Sequence, residues 1–152
     1  MFPNRTVPGP AGPVQMQAVP TSVAVGPDRA FYVGQLTGFP FPFEGAKVYR
    51  VPEIGGTPIV FASGFTKIID LAFGPDGSLY VLQISSAGGP PPQGGTGSLI
   101  RVARDGTKTD VVLPGSGLVA PGGIVIADDG TIYVTNNSVQ PGGIGTVVKI
   151  TP

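Results

Sequence analysis

The chain has 152 residues, with 9 Lys plus Arg, 9 Asp plus Glu, no histidine and no cysteine. Zero net charge leaves no basic field to hold a phosphate backbone, so nucleic acid is not expected as a partner. The missing cysteines exclude disulfides and thiolate metal sites. The missing histidines remove the commonest general base near neutral pH, so catalysis would fall to carboxylates, Tyr, Lys or Arg.

Charged residues make up 12% of the chain, against about 25% in typical soluble domains, and such a surface favours association. The opening Met1-Phe2-Pro3-Asn4-Arg5 has no basic region leading into an apolar stretch, so no signal peptide is expected. No apolar run approaches the ~20 residues of a membrane helix.

In chain order, residues 1–20 are a Pro-rich lead-in. A first repeat spans 21–62, with strand A at 21–25, B at 30–34, C at 47–51 and D at 58–62. A second spans 63–113, with A at 69–73, B at 78–82, C at 98–102 and D at 108–113. A third spans 114–152, with A at 122–126, B at 131–135 and C at 146–150, and it lacks the outer strand D. Val, Ile, Leu, Phe and Tyr dominate these segments, as a half-buried pleat requires. No segment holds a 3.6-residue apolar period, so little helix is expected.

Three tyrosines set the period: Tyr32, Tyr80 and Tyr133, about fifty residues apart, within the range of propeller repeats. Asp28, Asp76 and Asp129 precede them at one fixed spacing, and Gln35, Gln83 and Asn136 follow at another. Each A–B connection is turn chemistry. Pro presets φ, Asp bonds the local backbone, and Gly accepts positive φ, as in Gly74-Pro75-Asp76-Gly77.

The expected fold is therefore all-β: a β-propeller of four-stranded antiparallel blades, three of them present, half of a six-bladed ring. Propellers typically have about 4–8 blades, so three leave two apolar end faces bare. Closure calls for the remaining half-propeller or for a second copy as a homodimer, with the N-terminal segment supplying the missing outer strand. The chain is read either as a truncated form or as a natural half-propeller.

The B–C connections are long (35–46, 83–97 and 136–145), and alternating strand direction puts them on one face. A small molecule or a protein partner is expected there, because loops on a rigid scaffold carry function.

The strings YVGQLTGFPFP, IIDLAFGPDGSLYVL and GGIVIADDGTIYVTNN resemble the scytonemin-cluster ScyD/ScyE-like propeller family over nearly the whole chain. More distantly, the repeats resemble NHL and gluconolactonase-type six-bladed propellers. The family resemblance implies that this stretch is a C-terminal half-ring and suggests an extracellular or periplasmic location. The family carries no settled activity. Lys67, Gln83 and Arg29 depart from its pattern, which has Asn, Glu and Gly there.

Asp70 aligns with Ser22 and Gly123 at the start of the innermost strand, near the central channel. It reads either as a Ca²⁺ ligand or general base, or as a capping acid bonded to amides of the 63–67 loop or paired with Lys67. Gln35, Gln83 and Asn136 end strand B. With Asn137 and Asp70 they would form an oxygen-rich ring, or else they cap loops. The resemblance to gluconolactonase-type channels implies a divalent cation, for which Asp70 and Asn136 are the candidates. One acid is few for a hard cation that takes about 6–8 oxygens, so no cofactor is the main expectation.

Phe39 and Phe41 lie in an aromatic loop with Phe43. They read as a ligand platform or as rings folded onto the blade. Arg50, Arg101 and Lys149 recur on strand C and are expected to be outward-facing and solvated. The residues favour a non-enzymatic binding propeller. The alternative is a divalent-metal-dependent hydrolase or lactonase with a channel site.

Overall fold

The computed structural model describes residues 2–89, 96–139 and 142–151. Parts of the second and third long loops, 90–95 and 140–141, lie outside the described residues. The N-terminal segment forms a hairpin, β1 (Arg5–Gly9) and β2 (Gly12–Met16). The sequence assigned no strands there. Tight-turn chemistry at Gly9-Pro10-Ala11-Gly12 and alternating burial along both strands account for it.

Three antiparallel sheets follow. Sheet I holds β3 (Pro20–Val25), β4 (Phe31–Gln35), β5 (Ala46–Val51) and β6 (Ile59–Phe65). Sheet II holds β7 (Ile68–Phe73), β8 (Leu79–Gln83), β9 (Ser98–Val102) and β10 (Lys108–Val112). Sheet III holds β11 (Ile124–Ile126), β12 (Ile132–Asn136) and β13 (Thr146–Ile150), three strands among the described residues. Each sheet is a meander in chain order. The strand segments match those expected from the repeat, except that β6 runs on to Phe65 and β11 starts only at Ile124.

The first strands β3, β7 and β11 lie side by side, so the sheets stack face to face around a shared inner edge. The second strand of each sheet records its surroundings. In the middle sheet every residue of β8 is buried, whereas β12 alternates buried and exposed. Strand side chains alternate between faces, so β8 is covered on both and β12 on one.

Two apolar clusters fill the two joints. Tyr32, Val48, Leu71 and Val81 belong to the first, and Tyr80, Leu99, Ile132 and Val134 to the second. Tyr32 packs edge-on against Phe61 and Phe73, each with ring centres 4.9 Å away. Burying an apolar side chain of this size stabilises by about 2–3 kcal/mol.

The A–B turns are three copies of one geometry. Gly26, Gly74 and Ala127 each donate a backbone N–H to the carbonyl four residues on, at 2.8–2.9 Å. The Asp28, Asp76 and Asp129 carboxylates accept the amides of Ala30, Ser78 and Thr131. The acidic turns are thus satisfied locally.

The strand C cations need a correction. Arg50 and Arg101 face outward, but each is paired with the turn aspartate of its own sheet: Arg50 with Asp28 at 2.7 Å and Arg101 with Asp76 at 2.6 Å. The meander places the third strand beside the A–B turn, which linear spacing does not show.

Candidate functional site

The inner ends of β3, β7 and β11 meet at Asp70. Its Oδ1 accepts the Ser22 hydroxyl at 2.5 Å and the Leu71 amide at 2.9 Å. Its Oδ2 accepts the Ile124 amide at 2.9 Å. The Ser22 hydroxyl in turn accepts the Leu71 amide at 3.1 Å, and the Thr21 hydroxyl donates to the Ile68 carbonyl at 2.7 Å. One half-buried carboxylate therefore ties three sheets together.

The expected capping role needs correcting in its partners. The amides come from Leu71 and Ile124 and not from the 63–67 loop, and no ion pair joins Asp70 to Lys67. Adjacent sheets converge at the inner edge, so neighbouring first strands are nearer to Asp70 than its own preceding loop. Ser22 was visible in the sequence only as the repeat equivalent of Asp70.

The strand B amides do not converge on Asp70. The Gln83 Oε1 accepts the Thr66 amide, and its Nε2 donates to the Ser98 hydroxyl at 2.6 Å. The Asn136 Oδ1 accepts the Val119 amide at 2.7 Å, and its Nδ2 donates to the Gly117 carbonyl at 3.0 Å. Both side chains turn into the loop that enters their own sheet, and the oxygen-rich ring is not assembled. Asn137 adopts a left-handed backbone, φ 57°, and its amide donates to the Val119 carbonyl at 2.8 Å.

Gln35 holds the same rank but differs. It is fully buried, and among the described residues neither of its side-chain polar atoms has a partner; the buried Thr37 hydroxyl also lacks one there. Thr37 has φ 78°, uncommon for a β-branched residue. The sequence held no signal for either feature.

The aromatic loop divides. Phe41 is half-buried and carries the buried Lys67 ammonium 5.9 Å from its ring centre. Desolvation holds Lys67 below the usual lysine range. The loop is pinned by the Glu44 amide on the Thr66 hydroxyl and by the Gly89 amide on the Phe41 carbonyl, both at 2.9 Å. Phe39 and Phe43 remain exposed on the long-loop face. Among the described residues, no group of three or more acids could hold a metal ion.

No known family profile matches the chain, and no curated protein matches it. The structure is similar to a structural-genomics crystal structure described as a candidate gluconolactonase. The TM-score is 0.59 at 16% identity, over 86% of this chain and 49% of that one. The fold is that of a β-propeller. The chain spans about half the length of that protein. The ScyD/ScyE-like resemblance rests on the sequence strings alone.

Proposed function

We propose that the chain is a non-enzymatic binding unit, three blades forming half of a six-bladed ring, with a small molecule or a protein taken on the long-loop face. The observation that carries this reading is the state of Asp70. Both oxygens of the acid expected in the channel are engaged by protein donors, so the carboxylate acts as a tie between blades. Three of the carboxylate's ~four acceptor sites are thereby taken, and among the described residues no group of three or more acids supplies the oxygens a hard cation needs.

Phe39 and Phe43 support the location of the binding face, since exposed aromatic rings offer contact area at low entropic cost. The ScyD/ScyE-like strings fit a propeller without settled chemistry and support an extracellular or periplasmic location. The rival is the metal-dependent hydrolase or lactonase, for which the only support is the fold it shares with a candidate gluconolactonase.

Calcium titration followed by thermal melting separates the two. The expected result is an unchanged melting temperature at millimolar Ca²⁺ in the parent chain and in Asp70→Asn. A Ca²⁺-dependent rise that Asp70→Asn abolishes would overturn the binding-unit reading.

A further inference from the structure

The repeat allows each side-chain rank to be compared at an inner joint and at a free end. Facing the next blade, Tyr32 and Tyr80 are 6% and 7% exposed, and Tyr133 is 36%. Val48 and Leu99 at one rank are both 0% exposed, and Val147 is 68%. Facing the previous blade, Leu71 is 4% exposed and Val23 is 64%. The two free ends thus carry the apolar residue types that meet at both inner joints, and each end is the complement of the other.

Strand places agree with this. β2 leads into β3 by a short connection, as β6 leads into β7, so β2 occupies the outermost place of a further blade. Phe2 at 5.4 Å from Tyr49 covers the outer part of the first end, while Val23 and Val25 on its inner part are bare. At the other end, among the described residues, β13 has no fourth strand.

Resting on the half-ring reading, we propose that a second copy of this chain covers both ends. The β11–β13 blade of one copy seats against Val23 and Val25 of the other. β13 pairs as third strand with the other copy's β2 as fourth, and β1 gives up its place on β2. Two identical joints, related by a two-fold axis along the channel, close six blades. Zero net charge means that no net repulsion opposes the pairing. The Ser63–Lys47 pair of β5 and β6 supplies the register, and its equivalent sets Gln15 opposite Thr146 of the other copy.

Mass in solution tests this. The parent chain is expected at twice its 15.4 kDa. Val23→Asp and Val147→Asp, both at exposed positions, are each expected to halve that mass with an unchanged circular dichroism spectrum. Ile54→Asp, in the exposed β5–β6 turn, is expected to leave it alone. The natural chain has no cysteine, so a Gln15→Cys, Thr146→Cys double variant is expected to give a covalent dimer on oxidation.

A single-chain mass for the parent overturns the proposal. So does a dimer that survives either aspartate variant, which would mean like faces pairing or a different surface. Neither result bears on the calcium titration, so the pairing and the binding-unit reading fail separately.

Discussion

The Ser22 hydroxyl donates to the Asp70 carboxylate at 2.5 Å across the first inner joint, while the other carboxylate oxygen accepts the Ile124 amide at 2.9 Å across the second. The middle sheet holds both neighbours through one side chain. Apolar burial at the joints is non-directional, whereas these bonds fix how far one first strand slides along the next.

Removing that tie has a measurable cost. Asp70→Ala strands the Ile124 amide and the Ser22 hydroxyl, and it is expected to destabilise by about 2–3 kcal/mol in urea unfolding. Ser22→Ala removes one donor and is expected to cost about 1 kcal/mol.

The strand B amides give a paired contrast. Gln83→Leu leaves the Thr66 amide and the Ser98 hydroxyl without their partner, with an expected cost of about 2–3 kcal/mol. Gln35→Leu removes a buried amide that has no partner among the described residues, and it is expected to be neutral or stabilising by about 1 kcal/mol. Parallel denaturant curves check both, and a larger loss at Gln35 than at Gln83 would contradict the assignment.

The A–B turns differ at one position. Arg29 holds φ 62° where the equivalent Gly77 and Gly130 hold 76° and 83°. An L side chain pays about 1 kcal/mol there that glycine avoids. Arg29→Gly is expected to raise the melting temperature and Gly77→Ala to lower it, the latter also crowding the Arg104 guanidinium.

Acid sensitivity follows from the turn pairs. The Arg101 hydrogen bond and then the Ser78 amide hold Asp76 down at about 2. At Asp28, burial pushes upward, but Arg50 and the Ala30 amide together outweigh it and leave the carboxyl below its ordinary value. An unfolded aspartate titrates near about 3.9. A depressed folded value means the contribution is fully present above about pH 4 and is lost as pH falls toward about 2. Both pairs are partly exposed and screened by solvent, and the Arg101–Asp76 pair contributes about 1 kcal/mol or less. Arg101→Gln is expected to flatten the fall in stability across that window, as read by melting temperature against pH.

Local chemistry made much of the architecture legible in the sequence. Apolar alternation around Tyr32, Tyr80 and Tyr133 and the Asp-containing turns act over a few residues, so the strand segments and the A–B turns could be read directly. The β1–β2 hairpin escaped because five prolines within residues 1–20 outweigh its strand signal.

The candidate site was less legible. Asp70 could be placed at the inner edge, but its partners Ser22 and Ile124 come from other sheets. Whether Gln35 finds a partner, as Gln83 does, depends on loop packing and not on the residue type they share.

The sequence alone determined the period, the antiparallel meander and the apolar faces, because those arise from contacts between near neighbours in the chain. Only the tertiary structure decided that Asp70 ties three sheets, that Arg50 and Arg101 are paired, and that Val23 and Val147 stand bare. The Asp70 tie joins groups 48 and 54 residues apart through the stacking of sheets, and the arginine pairs join groups 22 and 25 apart within one sheet; no local preference encodes those distances.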